Sequence, residues 1–209
     1  MVDCGGDRDE ATADTVAAFL LSQGVFRLDG VILTHYDRDH VGAAEYVLSR
    51  IQTDQLILPQ GEDANMWEDR FAGTALMAQD DLQMTWGCSS ITVYTSNNLE
   101  DSNESSLCVL FQTEKCAILI TGDRSAMGEL QLLLDKDIPE LDALVVGHHG
   151  AAASTGEMLL QKTKPKVALI SVGEDNRYGH PSQAVIDRLV TYGCQIRRTD
   201  LEGTIILRG

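Results

Sequence analysis

The side chains with the clearest chemistry in this sequence are five histidines: His35, His40, His148, His149 and His180. Each is expected at the carboxyl end of a short apolar run that is typical of a strand, or just past it. In open α/β sheets that edge is where ligands bind, so we expect the histidines to gather there. A single histidine at a strand end is often only a partly exposed polar residue. Five of five in such places favours a metal site.

The densest group of candidate ligands is the segment T-H-Y-D-R-D-H, which follows the apolar run G-V-I-L. It places four ligand-type side chains within six residues: His35, Asp37, Asp39 and His40. That is more than one ion can easily use in a compact turn. The spacing therefore suits two neighbouring ions, each taking a pair of ligands.

Two further predicted strand ends carry candidate ligands. Asp123 ends the run A-I-L-I-T-G-D, and His148 and His149 follow the run A-L-V-V-G. Each residue also has a simpler interpretation. Asp123 could cap a turn, since Asp favours such positions, and His149 could touch the ligands or the substrate without binding metal. His180, which precedes Pro181, could be an ordinary helix-entry residue.

A pair of divalent ions at this edge would suit phosphate chemistry. Two ions about 3.5–4 Å apart lower the pKa of a bridging water and clamp a phosphoryl oxygen, which favours in-line attack on phosphorus. Asp39 is the natural residue to orient that hydroxide. Asp37 offers an oxygen ligand, and hard oxygen ligands favour manganese or magnesium over zinc. We therefore expect two divalent ions, Mn²⁺ in use, with Zn²⁺ as the alternative.

Charge limits how the chain could hold a nucleic acid. Its 209 residues include 32 acidic and 16 basic ones, for a formal net charge of −16. Phosphate affinity normally comes from Lys and Arg, so a basic DNA-binding patch is disfavoured. Two divalent ions would make the local charge positive, because they add about four positive charges where the candidate ligand aspartates converge. We expect weak nonspecific DNA affinity.

Length and composition fit one packed α/β domain over residues 1–209, with 44% hydrophobic residues. No apolar run approaches the roughly 18 residues that a membrane helix needs, and no secretory signal is visible. We expect the isolated chain to be soluble. The five cysteines are widely spaced and include no C-x-x-C pair, which argues against a zinc ribbon and a disulfide framework.

Hydrophobic periodicity predicts strands and helices in alternation around a patch of consecutive strands. Two packed sheets with helices outside would satisfy this pattern. Predicted helices cover 9–23, 41–51, 65–78, 127–134, 157–162 and 181–190. Predicted strands are G-V-I-L-T, Q-L-I-L-P, L-Q-M-T-W, I-T-V-Y-T, L-C-V-L-F, C-A-I-L-I-T, L-D-A-L-V-V-G, K-V-A-L-I-S-V-G, C-Q-I-R-R-T and G-T-I-I-L-R-G.

Taken together, the motifs resemble the metallo-β-lactamase superfamily. Within it the chain is similar to the carboxy-terminal hydrolase domain of the ComEC family, bacterial competence proteins that internalise DNA. The resemblance extends over essentially the whole chain and rests on V-D-C-G-G, T-H-Y-D-R-D-H-V-G-A, N-E-S-S-L-C-V-L-F, I-L-I-T-G-D, V-V-G-H-H-G-A-A-A-S-T, V-G-E-D-N-R-Y-G-H-P and T-D-L-E-G-T-I. It implies a metallo-β-lactamase-like αββα sandwich. ComEC-type domains carry a strand before V-D-C-G-G, so we expect a sandwich without that first strand.

The resemblance also implies a ligand set for two ions: His35, Asp37, Asp39, His40, Asp123 and His148. The first two would hold one ion with a further ligand. Asp39, His40 and His148 would hold the other, and Asp123 would bridge the two. Many superfamily members have another histidine before the position of Asp123, which this chain lacks. Asn103 or a water would take that place.

The segment N-R-Y-G-H-P supplies the remaining roles. By resemblance, Asn176 and His180 would approach the substrate phosphate, where a histidine near the leaving oxygen could donate a proton. The function expected is that of a metal-dependent phosphodiesterase, a nuclease acting on single-stranded DNA during uptake. Its partners would be a membrane channel and other domains of a longer ComEC-type protein, attached to the bacterial membrane on a side that the sequence leaves open.

Two alternatives stay open. The chain could be a different hydrolase of the same superfamily, acting on a small phosphodiester, ester or lactone. It could also be a non-catalytic domain that binds DNA or a partner in the transport channel. Retention of the His and Asp residues speaks against the non-catalytic alternative, because a decayed site is expected to lose some of them.

Overall fold

The computed structural model describes residues 1–6, 9–61 and 63–207. By its contacts the chain divides into two compact units. The first comprises Met1–Asp80 with Asn97–Leu107, and the second comprises Asp81–Ser96 with Cys108–Gly209. This division does not test the prediction of one domain over residues 1–209, which stays a prediction. Both units combine helices with sheets, which confirms the predicted α/β class.

The first unit builds a small parallel sheet surrounded by helices. Strand β2 pairs with β4, and β4 pairs with β5, all in parallel; β1 pairs with β3. The three residues of β4 are all buried, as is typical of a parallel strand covered on both faces. Its elements are α1 (Asp9–Ser22), β1 (Arg27–Leu28), β2 (Val31–Ile32), α2 (Arg38–Val41), α3 (Ala44–Leu48), β3 (Gln52–Thr53), β4 (Leu56–Leu58), α4 (Ala64–Arg70) and β5 (Ala75–Met77).

The second unit holds a seven-stranded mixed sheet in the order β12-β11-β10-β9-β8-β7-β6. Strands β6 to β9 run antiparallel to their neighbours, whereas β9 to β12 are parallel. Its elements are β6 (Leu82–Trp86), β7 (Ser89–Tyr94), β8 (Cys108–Gln112), β9 (Ala117–Ile120), α5 (Ala126–Asp135), β10 (Ala143–Val145), α6 (Glu157–Thr163), β11 (Val167–Ile170), α7 (Gln183–Thr191), β12 (Gln195–Arg198) and α8 (Thr199–Glu202).

The parallel half of this sheet decides where polar side chains can meet. Because β9, β10 and β11 run in the same direction, the residues that follow them lie at one edge. Asp123 follows β9, and His148 follows β10. The core beneath them includes Leu119, Leu144 and Ile170, all fully buried. An apolar core of this kind holds the strand ends in register.

Three predicted elements differ from the structure. The helix predicted over 41–51 is shorter in the structure: α3 covers Ala44–Leu48, and Val41 is the last residue of α2. The helix predicted over 65–78 ends at Arg70, because Gly73 adopts a φ of +93° and the apolar run after it pairs with β4 as β5. Residues 203–207 of the predicted closing strand G-T-I-I-L-R-G are not a strand, and its last two residues lie outside the described part.

Within the described ranges, no helix is both long enough and apolar enough to cross a membrane. The longest, α1, has 14 residues.

Candidate metal centre

The first unit places the T-H-Y-D-R-D-H motif where β2 ends and α2 begins. His35 lies just past β2, Asp37 precedes α2, and Asp39 and His40 belong to α2. Both histidines are buried, whereas the two aspartates are exposed. The imidazole centroids of His35 and His40 lie 4.0 Å apart. The segment therefore presents two buried nitrogen ligands beside two accessible carboxylates.

Asp3 accepts three hydrogen bonds beside this motif, although the sequence pattern predicts no role for it. Its Oδ1 accepts the backbone N–H of Thr34 at 2.7 Å, and its Oδ2 accepts the Thr34 hydroxyl at 2.7 Å. The same Oδ2 accepts Nδ1–H of His40 at 2.8 Å. The signal available in the sequence was its place in V-D-C-G-G, one of the motifs on which the resemblance rests.

This carboxylate fixes the tautomers of both histidines. A carboxylate only accepts hydrogen bonds, so the Thr34 hydroxyl donates its one hydrogen to Asp3. The hydroxyl oxygen must then accept Nδ1–H of His35, which lies 3.1 Å away. Asp3 thus holds His40 directly, and His35 through Thr34, with hydrogen on Nδ1 and the lone pair on Nε2. That is the form in which histidine binds metals, with the second ring nitrogen oriented by a carboxylate.

The V-D-C-G-G segment is also packed against α2. The backbone N–H of Cys4 donates to the His40 carbonyl at 2.8 Å. A Cβ on Gly5 would collide with the backbone of Asp39 and His40. Burial, and then the charge of Asp3, raises the pKa of the Cys4 thiol to about 11, so this cysteine stays a neutral thiol. The segment supports the motif by packing, and its cysteine adds no ligand charge.

The second unit places Asp123 and His148 side by side. Asp123 is buried in the turn after β9, and His148 lies in the turn Gly147–Gly150 after β10. His148 Nε2 lies 3.7 Å from Asp123 Oδ2, and in the first unit His35 Nε2 lies 3.8 Å from Asp37 Oδ2. Two ligand atoms that each lie about 2.0–2.2 Å from one ion are at most about 4.4 Å apart. Each pair therefore fits a shared divalent cation.

The turn that carries His148 and His149 is strained, and a buried carboxylate supports it. Both residues have left-handed backbone angles, with φ of 48° and 52°, a conformation that costs free energy outside glycine. Glu129 of α5 is fully buried and accepts the N–H of Thr155 at 2.9 Å and that of Gly156 at 2.7 Å. Thr155 Oγ1 in turn accepts the N–H of Gly147 at 3.2 Å, which ties this network to the turn.

His149 belongs to this turn, and His180 lies near it. His149 Nδ1 donates to the carbonyl of Ser171 at 2.7 Å, which leaves its lone pair on Nε2. The His180 ring lies 5.8 Å from that of His148, centroid to centroid. Burial lowers the pKa of His180, and the nearby His148 and His149 lower it further. The second unit thus gathers three of the five histidines on its own.

Asn176 acts on the backbone of His180. Its Nδ2 donates to the His180 carbonyl at 2.6 Å, and its Oδ1 accepts the His180 N–H at 2.9 Å. The sequence predicts that both residues approach a phosphate, and the structure gives the Asn176 amide a positioning contact as well.

Asn103 lies in the first unit, on a segment next to the motif. The Ser102 hydroxyl donates to Asp37 Oδ1 at 3.4 Å, which places this segment beside a candidate ligand. Asn103 Oδ1 is buried, and no described residue hydrogen-bonds to it. A buried amide oxygen of this kind is the type of atom that a bound ligand or water satisfies.

Gly5→Ala tests how tightly the V-D-C-G-G segment packs on α2. Because the new methyl group would overlap the backbone of Asp39 and His40, we expect the free energy of unfolding to fall by about 1–3 kcal/mol. Urea unfolding measures it. Gly30→Ala is the matched control, since its Cβ would meet only the Gln55 carbonyl at 3.6 Å, with a change within about 0.5 kcal/mol. Equal unfolding midpoints for the two variants would contradict the packing described.

Comparisons with known proteins identify the family of the chain. A model of the metallo-β-lactamase superfamily matches residues 1–174. ComE operon protein 3 of Bacillus subtilis is 34% identical over 199 residues, and the match covers 91% of this chain and 26% of that protein. Competence protein ComA of Neisseria gonorrhoeae is 31% identical over 202 residues, covering 93% of this chain and 27% of that protein. The identities over more than 90% of this chain confirm the resemblance to ComEC-family proteins, and the chain spans about a quarter of the length of these relatives.

Solved structures share the fold at low sequence identity. The metallo-β-lactamase fold protein YhfI from Bacillus subtilis has a TM-score of 0.58 and 15% identity, with 94% of this chain and 82% of that chain covered. CmlA, a diiron β-hydroxylase from Streptomyces venezuelae, has a TM-score of 0.59 and 14% identity, with 83% and 44% covered. The predicted fold is confirmed, and the chain belongs to the metallo-β-lactamase superfamily.

Proposed function

We propose that the chain is a metal-dependent phosphodiester hydrolase that cleaves DNA. The observation that supports it most is the orientation of two buried histidines: hydrogen bonds to Thr34 and Asp3 leave the lone pairs of His35 and His40 on Nε2. His35 Nε2 lies 3.8 Å from Asp37 Oδ2. Such orientation of histidine by a carboxylate is typical of metal ligands. The proposed ligands of two divalent ions are His35, Asp37, Asp39, His40, Asp123 and His148.

The donor set supports a preference for Mn²⁺. Three of the six proposed ligands are carboxylates and three are imidazoles, which differs from the sulfur-rich set of structural zinc sites. The carboxylates suit manganese and magnesium and the imidazoles suit zinc, so both metals can bind, and the Asp37 oxygen beside His35 favours Mn²⁺. We propose Mn²⁺ as the working ion and Zn²⁺ as one that also binds.

The bound ions would supply Lewis acidity, which acidifies water and offsets charge on a phosphoryl oxygen. The chain's own residues would do the rest. Asp39 would accept a hydrogen bond from the attacking water and orient it toward phosphorus. The His180 ring would contact the phosphate and pass a proton to the leaving oxygen as the bond from phosphorus to that oxygen breaks. Asn176 would keep His180 in place through its two backbone hydrogen bonds.

Two residues have secondary roles in this proposal. His149, with its Nδ1–H held by Ser171, would direct Nε2 to a substrate oxygen or to an ion. Asn103 would use its buried Oδ1 to complete the coordination of an ion or of a water.

Support for DNA as the substrate comes from the relatives. One relative, Competence protein ComA, is named for competence. ComE operon protein 3 and Recombination protein 2 of Haemophilus influenzae are also similar to this chain. We propose that this domain cleaves single-stranded DNA during uptake. Its partners would be the membrane channel and other domains of a longer ComEC-type protein, attached through them to the cell membrane.

Asp39→Ala tests the proposed reaction. Single-stranded DNA and a generic small phosphodiester are incubated with Mn²⁺, with Zn²⁺ and with EDTA. We expect DNA cleavage that is faster with Mn²⁺ than with Zn²⁺, absent with EDTA, and reduced at least about 100-fold by Asp39→Ala, because the attacking water loses its orienting carboxylate. Asp69→Ala, which removes an exposed aspartate of α4, is the matched control and should cleave normally.

Each other outcome of this assay rejects part of the proposal. Cleavage of the small ester alone would identify a small-molecule hydrolase. No cleavage, together with a metal content near zero after purification in metal-containing buffer, would identify a non-catalytic binding domain. An equal or higher rate with Zn²⁺ would overturn the preference for Mn²⁺.

Asp3→Asn tests whether Asp3 sets the tautomer of His40, and it leaves every proposed metal ligand in place. An amide that donates toward His40 Nδ1 would move the ring hydrogen to Nε2 and remove the lone pair that binds metal. We expect the affinity for Mn²⁺, measured by titration calorimetry, to fall about 10- to 100-fold. Asp69→Asn is the control for the lost charge, and thermal melting checks that both variants fold. A folded Asp3→Asn protein with wild-type Mn²⁺ affinity would contradict the argument.

A further inference from the structure

Tyr178 is a large aromatic residue that the proposed mechanism leaves unused. It lies in the loop between β11 and α7 and is 82% exposed, the most exposed large hydrophobic residue in the described chain. Isolated exposed apolar residues are common on proteins, so exposure alone indicates no function. What distinguishes Tyr178 is its position beside His180.

The Tyr178 ring is stacked on the His180 ring. Their centroids lie 6.0 Å apart and the planes are only 16° from parallel. The His180 ring lies 5.8 Å from that of His148. The three rings thus form a row in which His180 lies between the proposed metal ligand His148 and the solvent-exposed Tyr178. Because the side chain is 82% exposed, most of its ring surface is accessible to a ligand even with His180 beside it.

The loop holds this arrangement through backbone contacts. The two hydrogen bonds from the Asn176 amide fix the His180 backbone, and the Asn176 N–H donates to the Gly173 carbonyl at 3.3 Å. Tyr178 lies between these hydrogen-bonded residues in the chain. Because the backbone around it is already ordered, less conformational freedom is lost when a ligand binds there.

Charge favours recognition of a base over recognition of a phosphate at this place. The exposed charged residues of the loop are Glu174, Asp175 and Arg177, with a net charge of −1. The whole chain carries −16. Nonspecific attraction of phosphates is therefore weak here, whereas stacking of a nucleobase on an aromatic ring needs no positive charge and tolerates any base.

We propose that Tyr178 is a stacking platform for one unpaired base of single-stranded DNA, next to the phosphodiester that is cleaved. The inference rests on the proposed function and specifies its substrate: bases in a duplex are stacked on their neighbours and do not offer a free face. Tyr178 would bind the nucleotide beside the scissile bond, and His180 would contact the phosphate.

The test compares Tyr178→Ala and Tyr178→Phe with the wild-type protein on two oligonucleotides of equal length. One carries normal bases, and the other carries abasic sugars. With Mn²⁺ we expect Tyr178→Ala to lower kcat/KM on the normal strand about 10- to 100-fold and to leave the abasic strand unchanged. Tyr178→Phe keeps the ring and should stay within about 2-fold of wild type. Tyr192→Ala, at a partly exposed tyrosine after α7, is the control for loss of a tyrosine.

A binding measurement separates this inference from the proposed function. With Ca²⁺ in place of Mn²⁺, a strand that carries 2-aminopurine should be quenched by wild-type protein and by Tyr178→Phe, but not by Tyr178→Ala. Quenching by a wild-type protein that does not cleave DNA would reject the nuclease and keep the platform. Equal binding by Tyr178→Ala, an equal loss on the abasic strand, or no binding by the wild-type protein would overturn the platform.

Discussion

The interaction on which the first half of the candidate site depends is the set of three hydrogen bonds accepted by the Asp3 carboxylate. Their donors are the Thr34 N–H, the Thr34 hydroxyl and His40 Nδ1–H, at 2.7, 2.7 and 2.8 Å. One side chain thereby joins the chain start, the end of β2 and helix α2. The same bonds decide which nitrogen of each buried histidine keeps its lone pair. The same hydrogen bonds therefore stabilise the fold and orient the two proposed metal ligands.

Some of the acidic residues that make the chain strongly negative are also proposed metal ligands. A net charge of −16 disfavours a phosphate-binding surface, yet three of the acidic side chains belong to the proposed ligand set. Divalent ions bound to those carboxylates would attract a phosphate and offset its repulsion by the surrounding acidic side chains. Under the proposed function, uncharged contacts such as stacking on the exposed ring of Tyr178 would add affinity for the DNA strand.

The sequence predicted most of the elements and the candidate ligands, because both depend on local patterns. Apolar runs marked the strands, and His35, Asp123 and His148 lie just past β2, β9 and β10 as predicted. The run A-L-M became β5 where a helix was predicted, because pairing with Leu56–Leu58 overrode helical periodicity. Asp3 and Glu129 could not be assigned roles from spacing, since their partners lie 26 to 37 residues away in the chain.

The central claim is that this chain binds two divalent ions with the His and Asp residues of its motifs. The most direct measurement is anomalous diffraction from crystals grown or soaked with Mn²⁺. We expect two anomalous peaks about 3.5–4 Å apart, contacted by His35, Asp37, Asp39, His40, Asp123 and His148. A fully Mn²⁺-exposed crystal that shows no peak at these side chains, or manganese bound only elsewhere, would contradict it.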